Sequence, residues 1–273
     1  MLRFAVVGNP VSHSKSPVIH SLFAQQTGIE LQYTREEVSE ARFDAFVKQF
    51  FASGGRGLNV TVPFKEKAFQ LVERLTARAQ QARAVNTLFL DEQKRLWGDN
   101  TDGIGLVRDL KGNHNIQLRD KRLLILGAGG AVRGALGNLA EESPQSITIV
   151  NRTLNKALTL KKEFAGLVNI EALSFQDSIE GPFDIIINGT STGLHGKVPP
   201  LSPVAIGPDS CCYDMTYGNQ ETAFMRWAAQ QGAALTLDGL GMLVEQAAEA
   251  FAVWLNVRPQ TASVIQKVRA DLV

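Results

Sequence analysis

The chain has 273 residues, 44% hydrophobic and 20% charged, with 24 glycines and 10 prolines, a soluble globular composition with room for about two domains that excludes a low-complexity chain. Its 28 basic and 27 acidic residues leave a net charge of +1, which excludes the electrostatic footprint of a nucleic-acid or anionic-membrane binder, so any bound anion must be held by local groups. The expected partner is a small molecule, and a homodimer is also compatible.

Over roughly the first hundred residues, short β-rich runs alternate with helical patterns: "RFAVVG" then "SPVIHSLFAQQTG", "LQYTREEV" then "EARFDAFVKQFFASG", and "GRGLNVTV" then "PFKEKAFQLVERL". This alternation predicts parallel βαβ units. The turn-rich "WGDNTDGIG" ends that part at about residue 102, and the pattern restarts with "KRLLILGAGGA", "SITIVNR", "PFDIIINGTS", "SCCYDM" and "AALTL", each read as a buried strand of a second open α/β sheet. From Asp238 onward, "GMLVEQAAEAFAVWL" and "TASVIQKVRADLV" repeat apolar residues at helical spacing. The opening "MLRFAVVGNPVSH" is too short in apolar residues for a signal-peptide core, and no run is long enough to span a bilayer. Adjacent Cys211 and Cys212 have poor geometry for a mutual disulfide and read as buried strand positions, which points to the cytoplasm.

"LLILGAGGAVRGAL" carries an apolar strand into glycines and then a small-residue helix. Gly127 supplies a tight turn there, while Gly129 and Gly130 let backbone N–H groups approach a pyrophosphate at the helix N-terminus. The third glycine of the usual dinucleotide fingerprint falls at Val132, after Ala131, so the fingerprint is imperfect and a plain strand-to-helix turn is the alternative. The next strand ends in Asn151, Arg152 and Thr153, with Lys156 close behind. An NAD site usually carries a carboxylate there for the ribose 2′-hydroxyl. Without one, Arg152 can stack on adenine or grip a 2′-phosphate, which favours NADP; the alternative is an arginine facing solvent at a helix start.

If the second sheet holds NADP, the first should hold the substrate among four polar clusters, "SHSKSP", "NVTVPFK", "AVNT" and "GDNTDG". Lys65 follows Pro63, a residue pre-set for a helix's first position. The helix dipole and partial desolvation both ease the loss of its proton, which suits a general acid and base, with Asp102 as the carboxylate that orients it. A solvated surface lysine is the alternative, and Lys67, without polar company, is expected to face solvent. His13 reads as a turn residue without chemistry. His13, His20, His114 and His195 are dispersed, and no Cys/His spacing suggests a metal.

Taken together, "GNPVSHSKSP", "NVTVPFK", "AVNT", "GDNTDG", "GAGGA", "NRT" and "DGLGMLVEQA" resemble, in order and along the whole chain, the shikimate dehydrogenase family. The resemblance implies reversible NADPH-dependent reduction of 3-dehydroshikimate to shikimate, a step toward chorismate and the aromatic amino acids. It implies two open α/β domains: a substrate domain of residues 1–102 plus 238–273, with the C-terminal helices returning to it, and a Rossmann-like NADP-binding domain of residues 103–237. By position, Ser14 and Ser16 match the serines that hold the substrate carboxylate, with Tyr217 nearby. Asn59, Thr61, Asn86, Asp102 and Gln246 match residues that bind its hydroxyls, and Lys65 matches the catalytic lysine paired with Asp102. The cofactor positions are Gly127, Ala128, Gly129, Gly130 and Ala131 on the turn, Asn151, Arg152, Thr153 and Lys156 after the next strand, and Met215 and Gly239 further on. "NGTSTGLHG" departs from the commoner Asn-Ala-Thr-Ser pattern, and Gly189 is expected only to loosen a turn. Gly103, Gly105, Gly239 and Gly241 would permit hinges at the domain junctions. Two rival readings are a quinate/shikimate dehydrogenase of relaxed choice, which commonly carries an acidic residue near the ribose where this chain has Asn151, and a non-catalytic NADP sensor, which would have lost Lys65 or Asp102.

Overall fold

The apolar run that opens the chain forms β1 (Leu2–Gly8), buried over its last five residues. In the computed structural model, which describes residues 1–192 and 196–272, β1 pairs in parallel with β2 (Leu31–Glu37) and β3 (Gly55–Val60). The crossovers are α1 (Ser16–Thr27) and α2 (Phe43–Ala52). After β3 come α3 (Lys65–Leu71), the two-residue β4 (Arg74–Leu75), α4 (Ala77–Ala82), β5 (Thr87–Leu90) and β6 (Leu96–Asp99). The six strands lie in the order β2-β1-β3-β5-β6-β4.

The three expected strands pair in parallel, but the sheet also takes in β5, which was not expected and runs antiparallel to both β3 and β6. The chain reverses between Asp91 and Arg95, where the Asp91 carboxylate accepts from the Arg95 N–H at 2.9 Å and Lys94 takes φ 60. Because β5 runs backwards, its first residue lies at the edge where β3 and β6 end, and Asn59, Thr87 and Asp99 stand in register across the three strands. That reversal gathers three of the four polar clusters at one sheet edge.

The second sheet starts after α5 (Asp102–Arg108), which continues as a π-turn over Asp109–Asn113. Its elements are β7 (Arg122–Leu126), α6 (Gly130–Glu141), β8 (Ser146–Val150), α7 (Leu154–Phe164), β9 (Ile170–Leu173), β10 (Phe183–Asn188), β11 (Ile206–Asp214), α8 (Ala223–Gln230) and β12 (Leu235–Asp238). All neighbours pair in parallel, in the order β12-β11-β10-β7-β8-β9. This is the doubly wound arrangement, with its switch point between β7 and β10, where such sheets bind ligands. Strands buried on both faces read as continuous apolar runs, so five of the six were expected; short, edge-lying β9 was not. Cys211 and Cys212 point to opposite faces of β11, each in a different core cluster. Burial pushes both thiols up to about 12.

The C-terminal helices are α9 (Leu240–Leu255) and α10 (Ala262–Ala270). Two compact units result, Met1–Gly105 with Leu243–Asp271, and Leu106–Met242 with Leu272. The changeovers therefore fall inside α5 and α9 rather than at residues 102 and 238, because each helix begins in one unit and ends in the other. In the first unit one sheet face packs on Phe43, Val47, Phe50 and Phe64. Trp254 of α9 stacks on Phe4 at 4.9 Å and donates its indole N–H to the Leu88 carbonyl at 3.1 Å.

Candidate active site

Lys65 is the first helical residue of α3, where the dipole disfavours a cation. The cost is offset by Asp102, the first residue of α5, whose Oδ2 accepts from Lys65 Nζ at 2.6 Å. The lysine side chain is 24% exposed and the aspartate 10%, so the pair is screened from bulk water yet open enough for a ligand to reach. Pro63 does not occupy the first helical position as expected; it precedes Phe64 and follows a cis bond in the turn between β3 and α3. Lys67 does not face solvent freely either, since its Nζ donates to the Glu40 carbonyl at 2.7 Å and lies 3.6 Å from Asp44.

The other oxygen of Asp102 accepts from Asn86 Nδ2 at 2.9 Å, and the same nitrogen donates to Thr101 Oγ1 at 3.0 Å. Gln246 of α9 completes the group, its Oε1 accepting from Thr101 at 3.4 Å and lying 3.5 Å from Asn86 Nδ2. Asn59, at the end of β3, is buried with both amide hydrogens engaged, on the Asn86 carbonyl at 3.1 Å and on Thr87 Oγ1 at 3.2 Å. Its Oδ1 accepts from Tyr33 at 2.7 Å, so one lone pair is what it offers a ligand. Thr61 is half-buried in the turn before α3. Ser14 and Ser16 stand together at the start of α1, 3.2 Å between hydroxyls, and Arg35 fixes their loop by donating to the Ser14 carbonyl at 2.8 Å.

Beneath this edge, Asp99 accepts from Arg78 at 2.7 and 2.5 Å, from Thr76 at 2.6 Å and from the Asn100 N–H at 2.7 Å. Arg78 also donates to Glu249 at 2.8 Å. Burial works against the Arg78 charge, but Asp99 and Glu249 outweigh it and hold the guanidinium above its ordinary value. This network anchors the Asn100–Thr101–Asp102 segment and was not foreseen, since its members come from three separate stretches of chain.

In the second unit Gly127 has φ 103, a conformation closed to most side chains, and directly follows β7 at the switch point. Gly129 caps α6, and Gly129, Gly130 and Ala131 are exposed beside half-buried Ala128, with no atom within 4 Å of where a Cβ on either glycine would sit. The turn is therefore an open cradle of backbone N–H groups at a helix N-terminus, which fits a pyrophosphate. Past β8, Asn151 donates to the Thr153 carbonyl at 2.9 Å, leaving exposed Arg152 and Lys156 with no ion pair among the described residues. Two free cations and no carboxylate fit a 2′-phosphate.

Gly189 does not loosen a turn. A Cβ there would overlap Val132 Cγ2 and come within 3.0 Å of Met215 Sδ. Val132, standing where the fingerprint has its third glycine, is 1% exposed, and it fills the space that an alanine at 189 would occupy. The two departures from the usual patterns are one compensation. On Met215's other side, a Cβ on Gly239 would overlap the Met215 carbonyl, and one on Gly241 would overlap Asp109; both positions are closely packed. Tyr217, past β11, has its hydroxyl pKa raised by burial and by the Asp238 charge.

His13 is exposed, and His20 is buried among aromatic rings. His195, at the end of the "NGTSTGLHG" segment, lies outside the described residues, and among the described residues no cluster could hold a metal ion. Among the described residues no helix is long and apolar enough to cross a membrane.

Three family models match the chain: the shikimate dehydrogenase substrate binding domain at residues 6–88, shikimate / quinate 5-dehydrogenase at 110–195, and the shikimate 5′-dehydrogenase C-terminal domain at 239–269. The shikimate dehydrogenase (NADP(+)) of Alkalilimnicola ehrlichii is 54% identical over 269 residues, 98% of this chain and 99% of that protein. Among solved structures, an Ael1 enzyme from Pseudomonas putida has a TM-score of 0.92 at 45% identity, covering 98% of both chains. The shikimate 5-dehydrogenase of Thermus thermophilus, solved in complex with NADP(H) and shikimate, has a TM-score of 0.88 at 32% identity, covering 100% of both. With the lysine–aspartate pair on one sheet edge and an open glycine turn on the other sheet, the chain belongs to the shikimate dehydrogenase family.

Proposed function

We propose that the chain interconverts shikimate and 3-dehydroshikimate with NADP(H), in the cytoplasm, on the route to the aromatic amino acids. The first unit is then the substrate domain and the second the NADP-binding domain. The observation that carries this reading is the Lys65–Asp102 pair, 2.6 Å apart with Asn86 on the carboxylate's other oxygen. A bound nicotinamide supplies or takes the hydride at C3. Lys65 does the proton work: in reduction its ammonium protonates the oxygen forming at C3, and in oxidation its amine takes the proton of the C3 hydroxyl. Asp102 keeps the lysine aimed and accepts from a substrate hydroxyl, while Asn86, Thr61 and Gln246 sort the hydroxyls and Ser14 and Ser16 hold the carboxylate. Gly127 to Ala131 support the pyrophosphate, Arg152 and Lys156 grip the 2′-phosphate, and Met215 flanks the nicotinamide.

The experiment is reduction of NADP⁺ and NAD⁺ by the purified protein, with shikimate and quinate offered separately. Turnover of shikimate with a strong NADP⁺ preference is expected. Comparable rates with quinate or NAD⁺ would move the protein to the relaxed reading, and no turnover would sink the assignment.

A further inference from the structure

The hydrogen bonds that hold Asp102 start well behind it. Tyr33 donates its hydroxyl to Asn59 Oδ1 at 2.7 Å, and Asn59 Nδ2 donates to Thr87 Oγ1 at 3.2 Å. Thr87 then donates to Asn86 Oδ1 at 2.8 Å, and Asn86 Nδ2 donates to Asp102 Oδ1 at 2.9 Å. Every bond runs the same way, toward the carboxylate that takes Lys65 on its second oxygen.

Groups with a single possible role fix that polarity. The Asn86 carbonyl can only accept, so Asn59 turns its nitrogen there and its oxygen to Tyr33. The Thr101 N–H, 2.9 Å from Asn86 Oδ1, can only donate, so Asn86 turns its nitrogen to Asp102. Asn59, Asn86, Thr87 and Asp102 are all buried, where aligned hydrogen bonds polarise one another and strengthen. Burial keeps the Tyr33 hydroxyl protonated far above its ordinary range, with Ser16 beside it acting the other way.

We infer that Tyr33 and Thr87 are positioning residues for the reaction: their hydroxyls form the remote end of a one-way donor chain that fixes Asp102, and through it the Lys65 amine, in working geometry. This rests on the functional reading above. Neither residue is a ligand in that reading; both act through Asn86.

The test is shikimate oxidation at saturating NADP⁺ by Tyr33→Phe, Thr87→Val, Thr87→Ser and the double variant Tyr33→Phe/Thr87→Val, each well below its unfolding midpoint. Each lost link should lower kcat by about threefold to tenfold, the worth of one buried hydrogen bond, while the KM for NADP⁺ stays at the parent value. Thr87→Ser, which keeps the hydroxyl, should turn over within about twofold of the parent, and the double variant should lose no more than Thr87→Val, since a chain already cut gains nothing from a second cut upstream. Parent-like kcat in Tyr33→Phe and Thr87→Val overturns the inference, as does a serine variant as slow as the valine variant, or losses that multiply. Should Thr87→Val fail to fold, Tyr33→Phe decides by the same criterion. An active parent with unaffected variants refutes only this inference, whereas a parent inactive on shikimate refutes the functional reading and this inference with it.

Discussion

A methyl group placed on Gly189 would collide with a buried, branched side chain. Its φ lies outside the left-handed region, so alanine suits the backbone, and the penalty comes mainly from Val132, whose Cγ2 would be overlapped in a site 1% exposed. A valine in a helix has essentially one χ1 rotamer, so it cannot swing aside. Overpacking of this kind costs about 1–3 kcal/mol, or about 2–4 °C in Tm per kcal/mol for a domain of this size. Val132→Ala alone removes two buried carbons, about 1.6 kcal/mol at ~0.8 per group before any cavity term. In the double variant the new Cβ at 189 enters the space that Cγ2 left, so the two losses should cancel in large part, a coupling of about 1–3 kcal/mol of opposite sign to the sum. Thermal unfolding of the four proteins measures this directly. The clash also has a functional face, because the same Cβ would press on Met215 Sδ at 3.0 Å: Gly189→Ala should raise the KM for NADPH, and Val132→Ala should restore part of it. Strictly additive losses of stability would refute the compensation, and a Gly189→Ala protein as stable as the parent would refute the collision itself.

Other outcomes follow from the same geometry. Lys65→Ala should lower kcat by about a hundredfold or more, with substrate KM within a few-fold, in steady-state assays; an unchanged kcat would end its proton-transfer role. Arg152→Ala should raise the KM for NADPH more than that for NADH, by a lost charge-assisted contact of about 1.5–3 kcal/mol; equal effects would make it a stacking residue. Arg78→Met should cost about 3–5 kcal/mol in chemical denaturation, because it strands Asp99, whose side chain is 2% exposed, without its cation. Burial lowers the His20 pKa to about 3, with nearby Asn59 opposing, and neither ring nitrogen has a hydrogen-bond partner. The unfolded chain therefore binds the extra proton, and the stability due to neutral His20 is complete above its unfolded pKa of 6.5 and is lost as pH falls from there toward 3. By pH 5 the loss is about 2 kcal/mol, and His20→Phe, which keeps a ring stacked on Tyr33, should flatten that part of the stability–pH curve.

What could be read from sequence was set by how local each signal is. Strands β7, β8, β10, β11 and β12 are apolar runs buried on both faces and announce themselves, while the four-residue edge strand "IEAL" has nothing continuous to show. The antiparallel β5 was missed for a definite reason: its turn uses Lys94 rather than glycine or asparagine at φ 60, so "DEQKR" offers Asp91 as its one turn residue and lacks the glycine or asparagine that marks a hairpin. Lys65 and Asp102 were legible because each sits in a polar cluster at a strand end. Tyr33 and Thr87 were not, because an isolated tyrosine in a strand and a threonine beside Asn86 gain meaning only once β2, β1, β3 and β5 stand in register. The Arg78–Asp99–Glu249 network was hidden in the same way, its partners being joined by tertiary contact alone. Val132 and Gly189 are the instructive case. Each looked like a small flaw in a known motif, and a local rule broken at a binding site is where compensation should be sought. Only the distance between them shows that valine in the first turn of α6 requires glycine just past the neighbouring strand, so a chain carrying one of these changes without the other should be the less stable protein.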